Sequence, residues 1–259
     1  MNSILNEANK VKSGMKRAGN DIKKVKSLIP TKNEEEESKA ESKETGRKAE
    51  SKFITSFVSR IGKQPVNCDY FAYIELPDFA IWALADGYDD EKGGEEASKI
   101  AVEEVISLFM EKPRLSKSFL KRIILKAHNK VEDLRGRSRE KRGMSTSLVV
   151  FITDYTSMIY ANVGNARLYL IRDDIVIEKT VDHSIAHMLY EAHQLDYKEI
   201  RFHSQRDKLT QAMGEIDGIK PYLSKRVQLY DGDRILLLSH GAWENLDESE
   251  IEVELSKTD

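Results

Sequence analysis

Along the first thirty positions, apolar residues recur at Ile4, Ala8, Val11, Met15, Ala18, Ile22, Val25 and Ile29, in alternating steps of four and three that stop at Pro30. Such steps keep side chains on one helical face, so the spacing predicts a heptad-patterned amphipathic helix over residues 1–32. Its other faces carry Lys10, Lys12, Lys16, Arg17, Lys23, Lys24 and Lys26, while Gly14 and Gly19 weaken it. The pattern leaves three uses open: coiled-coil packing on a partner helix, adsorption to an anionic membrane surface, or simple solvation. Apolar periodicity then disappears. Residues 33–52, NEEEESKAESKETGRKAESK, are rich in Glu, Lys and Ser and bury too little surface to offset the entropy of ordering, so they read as a charged linker.

From Phe53 the texture changes, and residues 53–259 read as one globular domain. FITSFVSRIG and DYFAYIELPDFAIWALAD hold β-branched and aromatic residues in short runs, with Pro77-Asp78 as a turn signal, and predict paired strands. Helical spacing follows: Ala97, Ile100, Ala101, Val105, Leu108 and Phe109 form one face, and Phe119, Leu120, Ile123, Ala127, Val131 and Leu134 another. SLVVFITDYTSMIYANVGNARLYLIRDDIVIEKT reads as three strands turned at Asp154-Tyr155 and around Asp173-Asp174. After a helical segment near residues 184–193, DRILLLS has the unbroken apolar run of a strand buried on both faces. This order predicts an α+β fold, two packed antiparallel sheets flanked by helices, rather than a doubly wound parallel sheet.

Composition sharpens this picture in a few respects. With 259 residues and 40% hydrophobic content the chain supports one sizeable core. No apolar run approaches the roughly 20 residues of a membrane span, and no signal-peptide core opens the chain, so the expectation is a soluble, cytoplasmic protein, with peripheral membrane contact one of the uses left open for residues 1–32. The single cysteine, Cys68, agrees with a reducing compartment. A net charge of -3 conceals segmentation: +6 over residues 1–32, -3 over 33–50 and -6 beyond.

The candidate chemistry centres on LADGYDDEKGGEEASK, where a strand-like run ends at Asp86-Gly87 and a helix begins near Gly94. Seven elements occur in an order that resembles the PPM family of metal-dependent Ser/Thr phosphatases, also called protein phosphatase type 2C. They are Asn67-Cys68-Asp69, the Asp86-Gly87 segment with Gly94, Glu95, Ala97, Ser98 and Lys99, GMSTS, ANVGNARLYLIRD, VDHS, LTQAMG and DGDRILLLSHGAWENL. The resemblance covers roughly residues 53 to 255 and implies a PPM-type sandwich with metal between its sheets. It also implies hydrolysis of a phosphoester by water activated on manganese or magnesium, with Asp86 and the Gly87 carbonyl as ligands.

Several positions depart from that pattern. His240 stands where the family has a metal-binding Asp, offering a nitrogen that suits zinc, iron or manganese better than magnesium. Asn165 replaces another Asp, Gln64 replaces a phosphate-gripping Arg, and Asp89 and Asp90 replace glycines; the chain ends at Asp259, before the family's Asp-Asn element. These changes predict a residual metal set of Asp86, Gly87 and His240, with Asp69, Asp89 and Glu244 as secondary candidates and at most one weakly held cation. They favour a catalytically impaired pseudophosphatase that binds a phosphoprotein or regulator; the alternative is an active manganese- or magnesium-dependent Ser/Thr phosphatase with atypical ligands.

Other features predict structure rather than chemistry. His183 and His187 have i,i+4 spacing but lack the Glu of a zinc-protease motif, so structural hydrogen bonding is expected. RGRSREKR, residues 135–142, lacks interleaved aromatics and reads as a solvated loop, which argues against nucleic acid. Cys68 has no base in a readable motif and reads as a packing residue, and Trp243 as an anchor for the last strand.

Overall fold

The computed structural model describes residues 52–62, 65–88, 93–137 and 143–257. The expected helix over 1–32 and the linker to residue 51 lie outside the described residues, as do Gln64, Asp89, Asp90 and residues 138–142 of the basic stretch. Residues Phe57–Phe109 and Pro113–Asp259 form one compact unit, which holds the site.

Strands β1 (Asp69–Glu75) and β2 (Ala80–Tyr88) form an antiparallel hairpin closed around Pro77-Asp78, where the Leu76 N–H donates to the Phe79 carbonyl at 2.9 Å. β2 then pairs with β3 (Ser145–Thr153), and β3 with β4 (Ser157–Val163), both antiparallel. Two short strands, β7 (Tyr222–Leu223) and β8 (Val227–Gln228), complete this sheet on β4. A second, three-stranded antiparallel sheet has the order β6 (Ile175–Lys179), β5 (Arg167–Arg172), β9 (Arg234–Leu238).

Helices α1 (Gly94–Glu111) and α2 (Lys117–Arg135) form where the 3.6-residue period runs, and they bury the faces the sequence marks: Ala97, Ala101, Val105 and Phe109 in α1, Phe119, Leu120, Ile123, Ala127 and Val131 in α2. Ser116 caps α2 by accepting from the Phe119 N–H. Helix α3 (Ile185–Glu191) opens on the Ser184 cap, and two helices close the described chain, the short α4 (His240–Trp243) and α5 (Glu248–Leu255). Ile251 and Leu255 of α5 pack with Tyr169, Ile171, Val176, Leu236 and Leu238 of the second sheet.

Three expectations need correction. Residues 53–62, expected as a strand, do not form one, so the hairpin lies wholly within DYFAYIELPDFAIWALAD. The expected three-strand meander is four strands, because Gly164 adopts φ +83° and carries the chain from β4 in one sheet to β5 in the other. β9 is an edge strand with all five residues half-buried, not a strand enclosed on both faces. An apolar run alone does not distinguish the two.

Candidate active site

Pairing of β1 with β2 sets Asp69 directly opposite Asp86, and Asp86 is in turn opposite Ser147 of β3. Each carboxylate is fixed locally. Asn67 accepts from the Asp69 N–H at 3.1 Å, shaping the turn into β1, while the Gly87 N–H donates to the Cys68 carbonyl at 3.1 Å. Gly87 has a further reason to be glycine: a Cβ there would lie 2.1 Å from the Gly94 carbonyl oxygen, at the first residue of α1.

The turn from β9 into α4 reaches both acids. Ser239 donates its hydroxyl to Asp69 Oδ2 at 2.7 Å, and the His240 backbone N–H donates to Asp86 Oδ2 at 2.8 Å. Burial first, and then the negative charge of Asp69, push the Asp86 carboxyl up to about 7. Burial also raises Asp69, against the Ser239 hydrogen bond, so the pair takes up a proton more readily than ordinary carboxylates.

The imidazole of His240 is engaged with a second set of groups. Its Nε2 lies 3.0 Å from Asp207 Oδ1 and 3.9 Å from Glu244 Oε2, and its ring meets Trp243 edge-on at 4.8 Å. Burial keeps its pKa below the usual histidine value. Glu244, four residues on, accepts from Arg206 at 3.1 Å. The structure therefore joins Asp69, Asp86 and the His240 backbone, and puts the side chains of His240 and Glu244 in a neighbouring cluster with Arg206 and Asp207. Among the described residues no three His, Cys, Asp or Glu side chains form a metal-binding group.

A buried chain of polar contacts supports the site from behind. Tyr88, two residues after Asp86 on the same face of β2, donates its hydroxyl to Asn165 Oδ1. Burial, then the Asp86 charge, hold that hydroxyl's pKa well above its ordinary value. Trp243 donates to the Asn165 carbonyl at 2.8 Å, Arg167 lies 3.5 Å over the Trp243 ring, and Arg167 forks onto Asp182 with contacts of 3.0 and 2.6 Å. Trp243 is fully buried, as expected of an anchor. His183 and His187 hold structural positions: His183 Nδ1 accepts from the Gly164 N–H, and the His187 N–H donates to Ser184. Cys68 is half-buried.

Ser239, Tyr88, Ser147 and Asp207 escaped the sequence reading. Ser239 adjoins His240 and was within reach of the motif, but Asp207 lies in a loop 33 positions from its partner and no local spacing marks it.

Comparison with known proteins bears on this geometry. The family model for protein phosphatase 2C matches residues 58–252. The chain belongs to the protein phosphatase 2C family. It is 30% identical over 202 residues to the protein phosphatase PhpP of Streptococcus pneumoniae serotype 2, covering 76% of this chain and 81% of that protein. The serine/threonine phosphatase stp of Listeria innocua is 26% identical over 174 residues, 65% of this chain and 69% of that one. Among solved structures, the serine/threonine phosphatase Stp1 from Staphylococcus aureus superposes with a TM-score of 0.70 at 27% identity, covering 76% of this chain and 80% of that one. The fold expected from the sequence, an α+β arrangement of two antiparallel sheets flanked by helices, is thus that of PPM phosphatases.

Proposed function

We propose that this phosphatase 2C family protein is an active metal-dependent hydrolase of phosphoserine or phosphothreonine in proteins, with Asp69, Asp86 and the Gly87 carbonyl as its cation-holding core. The observation that carries the reading is the carboxylate pair. Two acids set opposite each other with raised proton affinity are a costly arrangement that a divalent cation relieves, and hard oxygen donors suit manganese or magnesium. When bound, such a cation polarises phosphoryl oxygens and acidifies water. The chain's own part is to hold the two carboxylates in place through Ser239 and the His240 N–H, and to back Gly87 against α1. His240 and Glu244, whose side chains meet Asp207 and Arg206 beside this core, remain its outer candidates in the proposal; Asp89 lies outside the described residues.

The names of the relatives, all phosphatases, support catalysis over the pseudophosphatase favoured by the substitutions alone. One observation favours the second reading, a binding module: among the described residues only two side-chain carboxylates meet at the core. Hydrolysis of p-nitrophenyl phosphate and of a phosphothreonine peptide with added manganese separates the two. Turnover that disappears in Asp86→Asn supports the enzyme; no turnover by a chain that still binds phosphoprotein supports the module.

Residues 1–32 and 33–52 form, in the same proposal, a recruitment arm and tether that bring the domain to an acidic partner helix or an anionic membrane. Among the described residues no helix is long and apolar enough to cross a membrane. Deleting residues 1–32 is expected to abolish recruitment and leave the domain's melting curve unchanged.

A further inference from the structure

Helix α2 has one face in the core and an opposite face rich in cations. Lys117, Lys121, Arg122 and Lys126 are exposed on it, and no Asp or Glu occurs between residues 117 and 130. Lys130 is paired with Glu104, but the other four form no ion pair among the described residues. Arg122 is instead held over the Phe119 ring at 5.3 Å, with Arg114 near the same ring at 5.5 Å.

This placement runs against helix stability. The N-terminal end of a helix carries partial positive charge, which favours acids in the first turn, as α1 has with Glu95 and Glu96. α2 has no acid in its first turn and sets Lys117 there instead, with Lys121, Arg122 and Lys126 beyond it, so the nearest charge adds to the dipole rather than opposing it. These cations concentrate positive potential in a chain whose net charge is -3. The side chains also enclose a shallow hollow of about 330 Å³, lined by Ser118, Lys121, Arg122, Leu125, Lys126 and Asn129.

We propose that this face of α2 is a docking site for an acidic segment of a partner protein. Four cations without an ion pair among the described residues, spread over three turns, match carboxylates spaced along a peptide, and Leu125 in the lining of the hollow offers one apolar contact. A lipid surface is a poorer match, because none of the large exposed apolar side chains among the described residues belongs to α2, leaving nothing to insert. A nucleic-acid duplex is poorer too: its uninterrupted charge would run from the patch onto Glu132 and Asp133 at the helix end. The site is separate from the Asp69–Asp86 core, and it stands whether or not the chain turns over phosphate.

The test uses the full chain and a fluorescent peptide of about eight glutamates, with phosphatidylserine vesicles and duplex DNA as parallel arms. Saturable peptide binding is expected, weakened about tenfold or more in Lys121→Glu/Arg122→Glu/Lys126→Glu and by a rise in salt from about 50 to about 300 mM. The variant should melt close to the parent, since the three positions are exposed; an unchanged melting curve shows that lost binding is not lost folding. Equal binding by parent and variant, no peptide binding, or tighter binding of vesicles or DNA through the same residues overturns the proposal.

Discussion

Asp69 and Asp86 stand directly across from each other on neighbouring strands, and consecutive residues of one turn reach them, Ser239 to the first and the His240 N–H to the second. The arrangement couples the two sheets through a pair of like charges, so its stability depends on what neutralises the pair.

That dependence has a definite sign. The Asp86 carboxyl is raised from 3.8 to about 7 in the fold. Between those values the folded state keeps a proton that the unfolded chain has released, so a rise in pH through this window destabilises the metal-free protein, with the full cost reached above about 7. Four buried or half-buried histidines, His128, His183, His187 and His240, have lowered pKa values and act in the opposite direction, losing stability as pH falls, so the informative quantity is a difference. Asp86→Asn is expected to exceed the parent in stability by an amount that grows from pH 5 to pH 8, to roughly 1–3 kcal/mol. Urea denaturation of both proteins in chelator at several pH values measures it; a pH-independent difference contradicts the raised carboxyl.

Adding manganese should invert that ranking. A cation that binds only the folded parent stabilises it by mass action, about 2.7 kcal/mol at a hundredfold excess over its dissociation constant, and Asp86→Asn should gain much less. Melting curves with and without manganese provide the check. An equal gain in both proteins would locate the binding elsewhere.

The elements that position the site were legible in the sequence to the extent that a period or a motif marked them. The faces of α1 and α2 followed from spacing, because burial of a helix face leaves a 3.6-residue trace; Asp86 and Gly87 were marked by their motif, although β2 runs on through them to Tyr88 instead of ending there. The crossing at Gly164 did not, since β4 and β5 are both buried almost throughout and only the backbone conformation separates them. His240 was identified as a changed position, yet its side-chain direction depends on Asp207, which the fold supplies from a distant loop. Asn165 was read only as a lost charge; that it meets the hydroxyl of Tyr88 depends on register between β2 and the loop after β4.

Removing that hydroxyl should be costly. Asn165 is fully buried, and its Nδ2 already has no hydrogen-bond partner. Tyr88→Phe leaves the side-chain oxygen unpaired as well, and an unsatisfied buried group costs about 1–3 kcal/mol. The denaturation midpoint should fall accordingly. If it is unchanged, the amide finds another partner and the contact is dispensable.

His240→Asp provides the sharpest separation between fold and chemistry. At this position the side chain lies within 3.0 Å of Asp207 and 3.9 Å of Glu244 in the parent, so a carboxylate placed there faces two like charges, with Arg206 as the nearby counter-charge. In chelator the variant should lose about 1–2 kcal/mol, an order set by like-charge repulsion in a partly buried site. With manganese the same added charge becomes an advantage, because hard divalent cations prefer oxygen donors to imidazole. The expected outcome is a variant less stable than the parent without metal and bound more tightly by manganese, read from melting curves and from isothermal titration. If turnover of p-nitrophenyl phosphate rises with that affinity, His240 is what limits the phosphatase. Tighter binding without any gain in turnover would place the limit beyond the cation, and no change in manganese affinity would show that position 240 does not face the cation core at all.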